Sequence, residues 1–69
     1  MCNNLFNEHR DLKFRLEVYG YSISDQELLE IESKLLNEYR VLVHFVSEDH
    51  INLIRSILKM IKNIREIDR

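Results

Sequence analysis

Proline is absent from the 69 residues, and glycine occurs once, at Gly20. Nothing therefore breaks a helix over most of the chain, and Gly20 becomes its main punctuation mark. Cysteine also occurs once, at Cys2, which excludes an internal disulfide. A lone thiol at that place fits a reducing compartment and is read as exposed and without a special role. No Cys/His array has zinc-site spacing. A chain this short buries only a small core. With neither crosslink nor metal to help, oligomerisation or partner binding is the expected extra source of stability.

Long apolar runs are missing too. The longest, Val41-Leu42-Val43, resumes at Phe45-Val46 after His44 and is far shorter than a bilayer span. Residues 1–5 lack the basic and apolar blocks of a secretory leader. A cytoplasmic location with no membrane attachment is the resulting expectation. Net charge is −2 with both signs interspersed, so the chain lacks the basic field of a dedicated nucleic-acid binder. A single glycine excludes a Gly-rich phosphate loop. No serine sits in a nucleophile elbow. No catalytic residue and no cofactor are expected.

What the chain does have is helical periodicity. Leu5, His9, Leu12, Leu16 and Tyr19 recur at helical spacing, with Phe6 and Val18 beside the stripe. They predict a first helix over about 4–19, capped at its start by Asn3 or Asn4 and at its end by a left-handed Gly20. Ser24-Asp25-Gln26-Glu27 is a capping box, and Asp25, Glu27, Glu30 and Glu32 put negative charge near the positive end of the helix dipole. The second helix is predicted over 25–46. Leu28, Ile31, Leu35, Tyr39, Leu42 and Val46 line one face, with Leu29, Leu36 and Val43 on a second stripe. Ser47 reads as the next N-cap, with Glu48 and Asp49 in the first turn of a third helix over 48–67. There Leu53, Ile57, Met60, Ile64 and Ile67 step by four, three, four and three, an a/d seam widened by Ile51, Ile54, Leu58 and Ile61.

The expected fold is a single all-α domain over 1–69, a three-helix arrangement. A long antiparallel helical hairpin has a shorter N-terminal helix packed across it, and the whole dimerises into a bundle. The pattern alone does not decide between a hairpin and a continuous rod at Ser47. Three helices cannot easily cover two wide apolar faces. The seam residues, faced by Tyr39, Leu42 and Val46, are therefore the expected protein–protein interface of a homodimer, or of a complex with an unidentified partner.

Two polar groupings are weaker. His44, Glu48, Asp49 and His50 cluster at the bend, but only His44 and Glu48 have same-face spacing, across a presumed helix break, so no metal is expected. His9, in an apolar stripe, is read as a buried or boundary histidine making one hydrogen bond. Arg55, Lys59, Lys62 and Arg65 mark one side of the third helix. They are candidate phosphate contacts, although such a stripe is usually the solvated face of an amphipathic helix, and nucleic-acid binding is not the expected role.

Gly20-Tyr21-Ser22-Ile23-Ser24-Asp25, followed by Leu35-Leu36-Asn37-Glu38-Tyr39, resembles the small aspartyl-phosphate phosphatases that regulate the sporulation phosphorelay of spore-forming bacteria. The resemblance implies a helical-hairpin scaffold and a polar partner surface on the second helix, here Glu30, Ser33 and Asn37. The Ser-Gln pair of that family's diagnostic motif does not occur; its place carries Leu29 and Glu30. The functional expectation is a non-enzymatic small helical regulator or inhibitor acting by protein contact. The alternatives are a phosphatase-like regulator of a phosphorelay and a nucleic-acid-binding regulator using the last helix.

Overall fold

The computed structural model describes the backbone of residues 2–67 and the side chains of residues 5–66. Three helices follow one another: α1 (Cys2–Tyr19), α2 (Asp25–Leu42) and α3 (Glu48–Ile67), with a single 3-10 turn at Gly20–Ser22. No strand occurs among the described residues. The expected hairpin forms, because the chain folds back between Leu42 and Glu48.

Cross-chain contacts give the directions. His9 meets His50, and Gly20 lies against Ile64, so α1 runs parallel to α3. Arg65 reaches back to Asp25 and Glu32, so α2 runs antiparallel to it. Helix α3 packs against both others, whereas no described Cα of α1 comes within 8 Å of one in α2. Thus α1 lies along α3 and does not cross the hairpin. It is also as long as α2, at 18 residues each, and not shorter as expected. It starts at Cys2, so Asn3 and Asn4 fall within the helix and do not cap it from outside.

The serines at the helix starts act as expected. Ser24 Oγ accepts from the backbone N–H of Glu27 at 3.2 Å. Ser47 Oγ accepts from that of His50 at 3.4 Å. Each satisfies a donor that the first helical turn leaves free. Helix α2 ends at Leu42, not at Val46. Its β-branched and aromatic tail is poor helix material. The chain instead tightens into a turn in which the N–H groups of Phe45 and Val46 both bond to the carbonyl of Leu42, at 2.8 and 3.0 Å. That turn reverses direction and lets α3 return along the apolar face of α2.

The core holds Leu16, Leu28, Leu35, Ile54, Ile57, Ile61 and Ile64. On α3 the line of deepest burial is Ile54, Ile57, Ile61 and Ile64, rotated from the expected seam toward its flank. Leu53 and Met60, expected at the seam's centre, are half-buried at the edge of the core, as are Tyr39 and Leu42. Val46 is half-buried too, and the side chain of Ile67 lies outside the described residues. The rotation follows from α3 serving two neighbours at once: its buried centre bisects the directions to α1 and α2. Ile57 and Ile64 are thereby taken up inside one chain and are not free to form a dimer seam.

Gly20 does not adopt the expected left-handed conformation; no described residue has positive φ. Its role is room. A Cβ at position 20 would collide with Cδ1 of Ile64 and sit 3.5 Å from its Cγ1. Gly20→Ala must displace the terminal methyl of the buried Ile64, at a cost of up to about 1–3 kcal/mol that the smaller entropy of the unfolded alanine chain offsets by about 0.4–1 kcal/mol. Ile64→Val deletes the obstructing methyl and alone costs about 0.5–1.5 kcal/mol. In urea denaturation the double variant should be more stable than the sum of the two single effects indicates. Strict additivity would show that Gly20 is not required for space.

Candidate functional site

At one end of the bundle the start of α1, the end of α2 and the start of α3 converge. A hollow of about 510 Å³ opens there, lined by Leu5 and Phe6 of α1, Leu42 of α2, Phe45, Val46 and Ser47 of the turn, and Asp49 and His50 of α3. A second hollow of about 330 Å³ adjoins it through Leu5 and Leu42 and adds Asn37, Glu38 and Val41. Each hollow is lined by a large exposed apolar side chain, the first by Phe45 at 79 % and the second by Val41 at 59 % exposure. This end is a concave apolar surface with few polar groups, the usual composition of a binding site.

A chain of three ionisable side chains lies beneath it. His9 and His50 are each 4 % exposed. Nδ1 of His9 is 2.7 Å from Nε2 of His50, and Nε2 of His9 is 3.2 Å from Oε1 of Glu38. Phe6 stands edge-on to the His50 ring, with centroids 5.2 Å apart. The three helices supply one member each, so the chain ties α1 to both neighbours. It also joins two concavities: His50 lines the apolar hollow, while His9 and Glu38 line a groove of about 360 Å³ between α1 and α2. The floor of that groove includes Leu12, Ile31 and Leu35, and its walls carry Glu8, Asp11, Arg15, Glu27 and Lys34. Burial, and after it the neighbouring His9, hold the pKa of His50 below its ordinary value of 6.5.

With Glu38 ionised and both imidazoles neutral, each hydrogen bond fixes the next donor. A carboxylate only accepts, so His9 donates from Nε2 to Glu38. In neutral His9 the Nδ1 is then an acceptor, and His50 must donate to it from Nε2. Neutral His50 keeps a lone pair on Nδ1.

The other candidate residues fall elsewhere. Glu30, Ser33 and Asn37 are exposed on the side of α2 facing away from the core, and Asn37 alone of them borders the apolar end. Arg55, Lys59 and Lys62 are exposed on α3. Arg65 is not available for phosphate as expected: it is half-buried, with Nη1 3.0 Å from Glu32 Oε1 and Nε 3.3 Å from Asp25 Oδ1. The cluster expected at the bend separates, since His44 is exposed while His50 is buried against His9. Among the described residues no group of three or more His, Cys, Asp or Glu side chains is arranged to hold a metal. No described helix is long and apolar enough to cross a membrane. The pairing of His9 with His50, 41 positions apart, was invisible in the sequence apart from the place of His9 in an apolar stripe.

Comparison with models of protein families, with curated proteins and with solved structures gives no match to this chain.

Proposed function

We propose that this protein is a small helical regulator or inhibitor that works by protein contact, in the cytoplasm, and that it receives its partner at the apolar end of the bundle. The observation that carries this reading is the exposure of Phe45 and Val41 beside the hollow. A chain with so little core gains from burying apolar side chains, yet leaves these two in water at adjoining hollows, as it leaves Phe14 and Tyr21 elsewhere on its surface. Helix-in-groove recognition uses such surfaces. The outward polar face at Glu30, Ser33 and Asn37, where a phosphorelay partner would dock, is exposed and polar, and it meets the apolar end at Asn37. The exposed bases Arg55, Lys59 and Lys62 are too few to dominate a chain of net charge −2.

The test is selection of binders from a displayed library of helical peptides. Phe45→Asp should abolish their binding while leaving the melting temperature nearly unchanged, because the side chain is already exposed. Lys59→Glu should leave binding intact. Binders indifferent to Phe45→Asp would place the contact surface elsewhere and overturn the reading. Sedimentation equilibrium of both proteins decides whether a second copy is the partner: a dimer dispersed by Phe45→Asp would make it so.

A further inference from the structure

We infer that the apolar hollow accepts an aromatic side chain bearing a hydrogen-bond donor, such as the phenol of a tyrosine, from a partner segment, with His50 as the acceptor. This rests on the reading of that end as the partner surface and goes further by naming what enters it. Three observations support it. The hollow has the size of a small-molecule pocket, about 510 Å³, which admits an aromatic ring with space to spare. Its walls at Leu5, Phe6, Leu42, Phe45 and Val46 are apolar, and two of them are aromatic, offering edge-to-face partners for a ring.

The third is the Glu38–His9–His50 chain, whose direction the carboxylate sets when both imidazoles are neutral. Each bond in it dictates the next. The carboxylate sets His9, His9 sets His50, and neutral His50 is left with an acceptor at Nδ1 as its one uncommitted ring nitrogen. A wholly aliphatic side chain would leave that lone pair without a partner. An acidic one would bring a second acceptor toward it beside Asp49. A phenol places its ring on the apolar wall and its O–H on the acceptor. Burial of His50 opposes its protonation, and this polarity holds while His9 is neutral too, since a proton on His9 would reverse the chain.

The experiment compares two soluble probes at pH 7.5 by nuclear magnetic resonance titration of the wild-type chain. One is 4-methylphenol, the tyrosine side chain itself. The other is 4-methylanisole, the same ring with its donor methylated. The phenol should bind about two- to tenfold more tightly, the factor contributed by one ordinary hydrogen bond. The His50 ring nitrogens should report an unprotonated Nδ1 whose resonance moves on adding the phenol but not the ether. In His50→Phe the preference should vanish while ether binding persists. If that variant does not fold, the wild-type nitrogen resonances still decide. Equal binding of both probes, or a protonated Nδ1, overturns the inference and leaves the apolar surface standing. Binding of neither probe also overturns it, and the displayed-peptide selection then judges the broader reading on its own.

Discussion

Ile57→Glu is expected to unfold the protein. Ile57 has no exposed surface and packs in the core with Leu16, Leu28 and Leu35. Removing a buried isoleucine side chain costs about 2–5 kcal/mol. A buried carboxylate adds the penalty of taking charge or an unpaired polar group out of water. A domain of this length has roughly 3–10 kcal/mol of stability in all. Far-ultraviolet circular dichroism should therefore show loss of helix at room temperature, and not a folded monomer released from a dimer. Ile57→Val provides the graded control, at about 0.5–1.5 kcal/mol and a fall in melting temperature of about 4–8 °C per kcal/mol. A folded Ile57→Glu with an unchanged melting temperature would put Ile57 on the surface and refute its place in the core.

Acidification is expected to have the second large effect, through His50. The folded-state pKa of His50 lies below its unfolded value of 6.5. Above 6.5 the residue is neutral in both states, and its contribution is fully present. As the pH falls below 6.5 the unfolded chain takes up a proton that the folded chain resists, and stability is lost until the folded-state pKa is passed. The slope attributable to one such proton is at most about 1.4 kcal/mol per pH unit. Urea denaturation of the wild type between pH 7.5 and 5 should show this decline. His50→Phe keeps the ring against Phe6 but neither titrates nor bonds to His9, so its decline over the same window should be shallower. Parallel curves for the two proteins would mean that His50 does not resist protonation.

Local signals were legible in the sequence where a few neighbouring residues carry them. Ser24 and Ser47 announce α2 and α3 because an N-cap is satisfied by the backbone three residues on. Three helices follow from apolar spacing in a chain without proline. The end of α2 is not legible, because Leu42, Val43 and Val46 continue the apolar pattern while the backbone has already turned. The centre of α3 is obscure by one step for a related reason: a face this wide in isoleucine and leucine has no marked midline until two neighbours choose it. Gly20 carried a conventional meaning, that of a left-handed cap, and the structure shows it making way for a side chain 44 positions later. The apolar end and the Glu38–His9–His50 chain are wholly tertiary. Each of the three residues looks ordinary within its own helix, and only the parallel course of α1 along α3 makes them one unit.

The central place of α3 also orders how the molecule comes apart. Helices α1 and α2 each lie on α3 and have no close backbone approach to one another. Either can therefore lift away while the remaining pair stays together, whereas displacement of α3 leaves no core at all. Amide hydrogen exchange should divide accordingly. The amides around Ile54, Ile57 and Ile61 should exchange only through global unfolding, while those of α1 and α2 have routes of lower free energy. Departure of α1 would take Leu5, Phe6 and His9 with it, and departure of α2 would take Leu42, so either partial opening also dismantles the hollow.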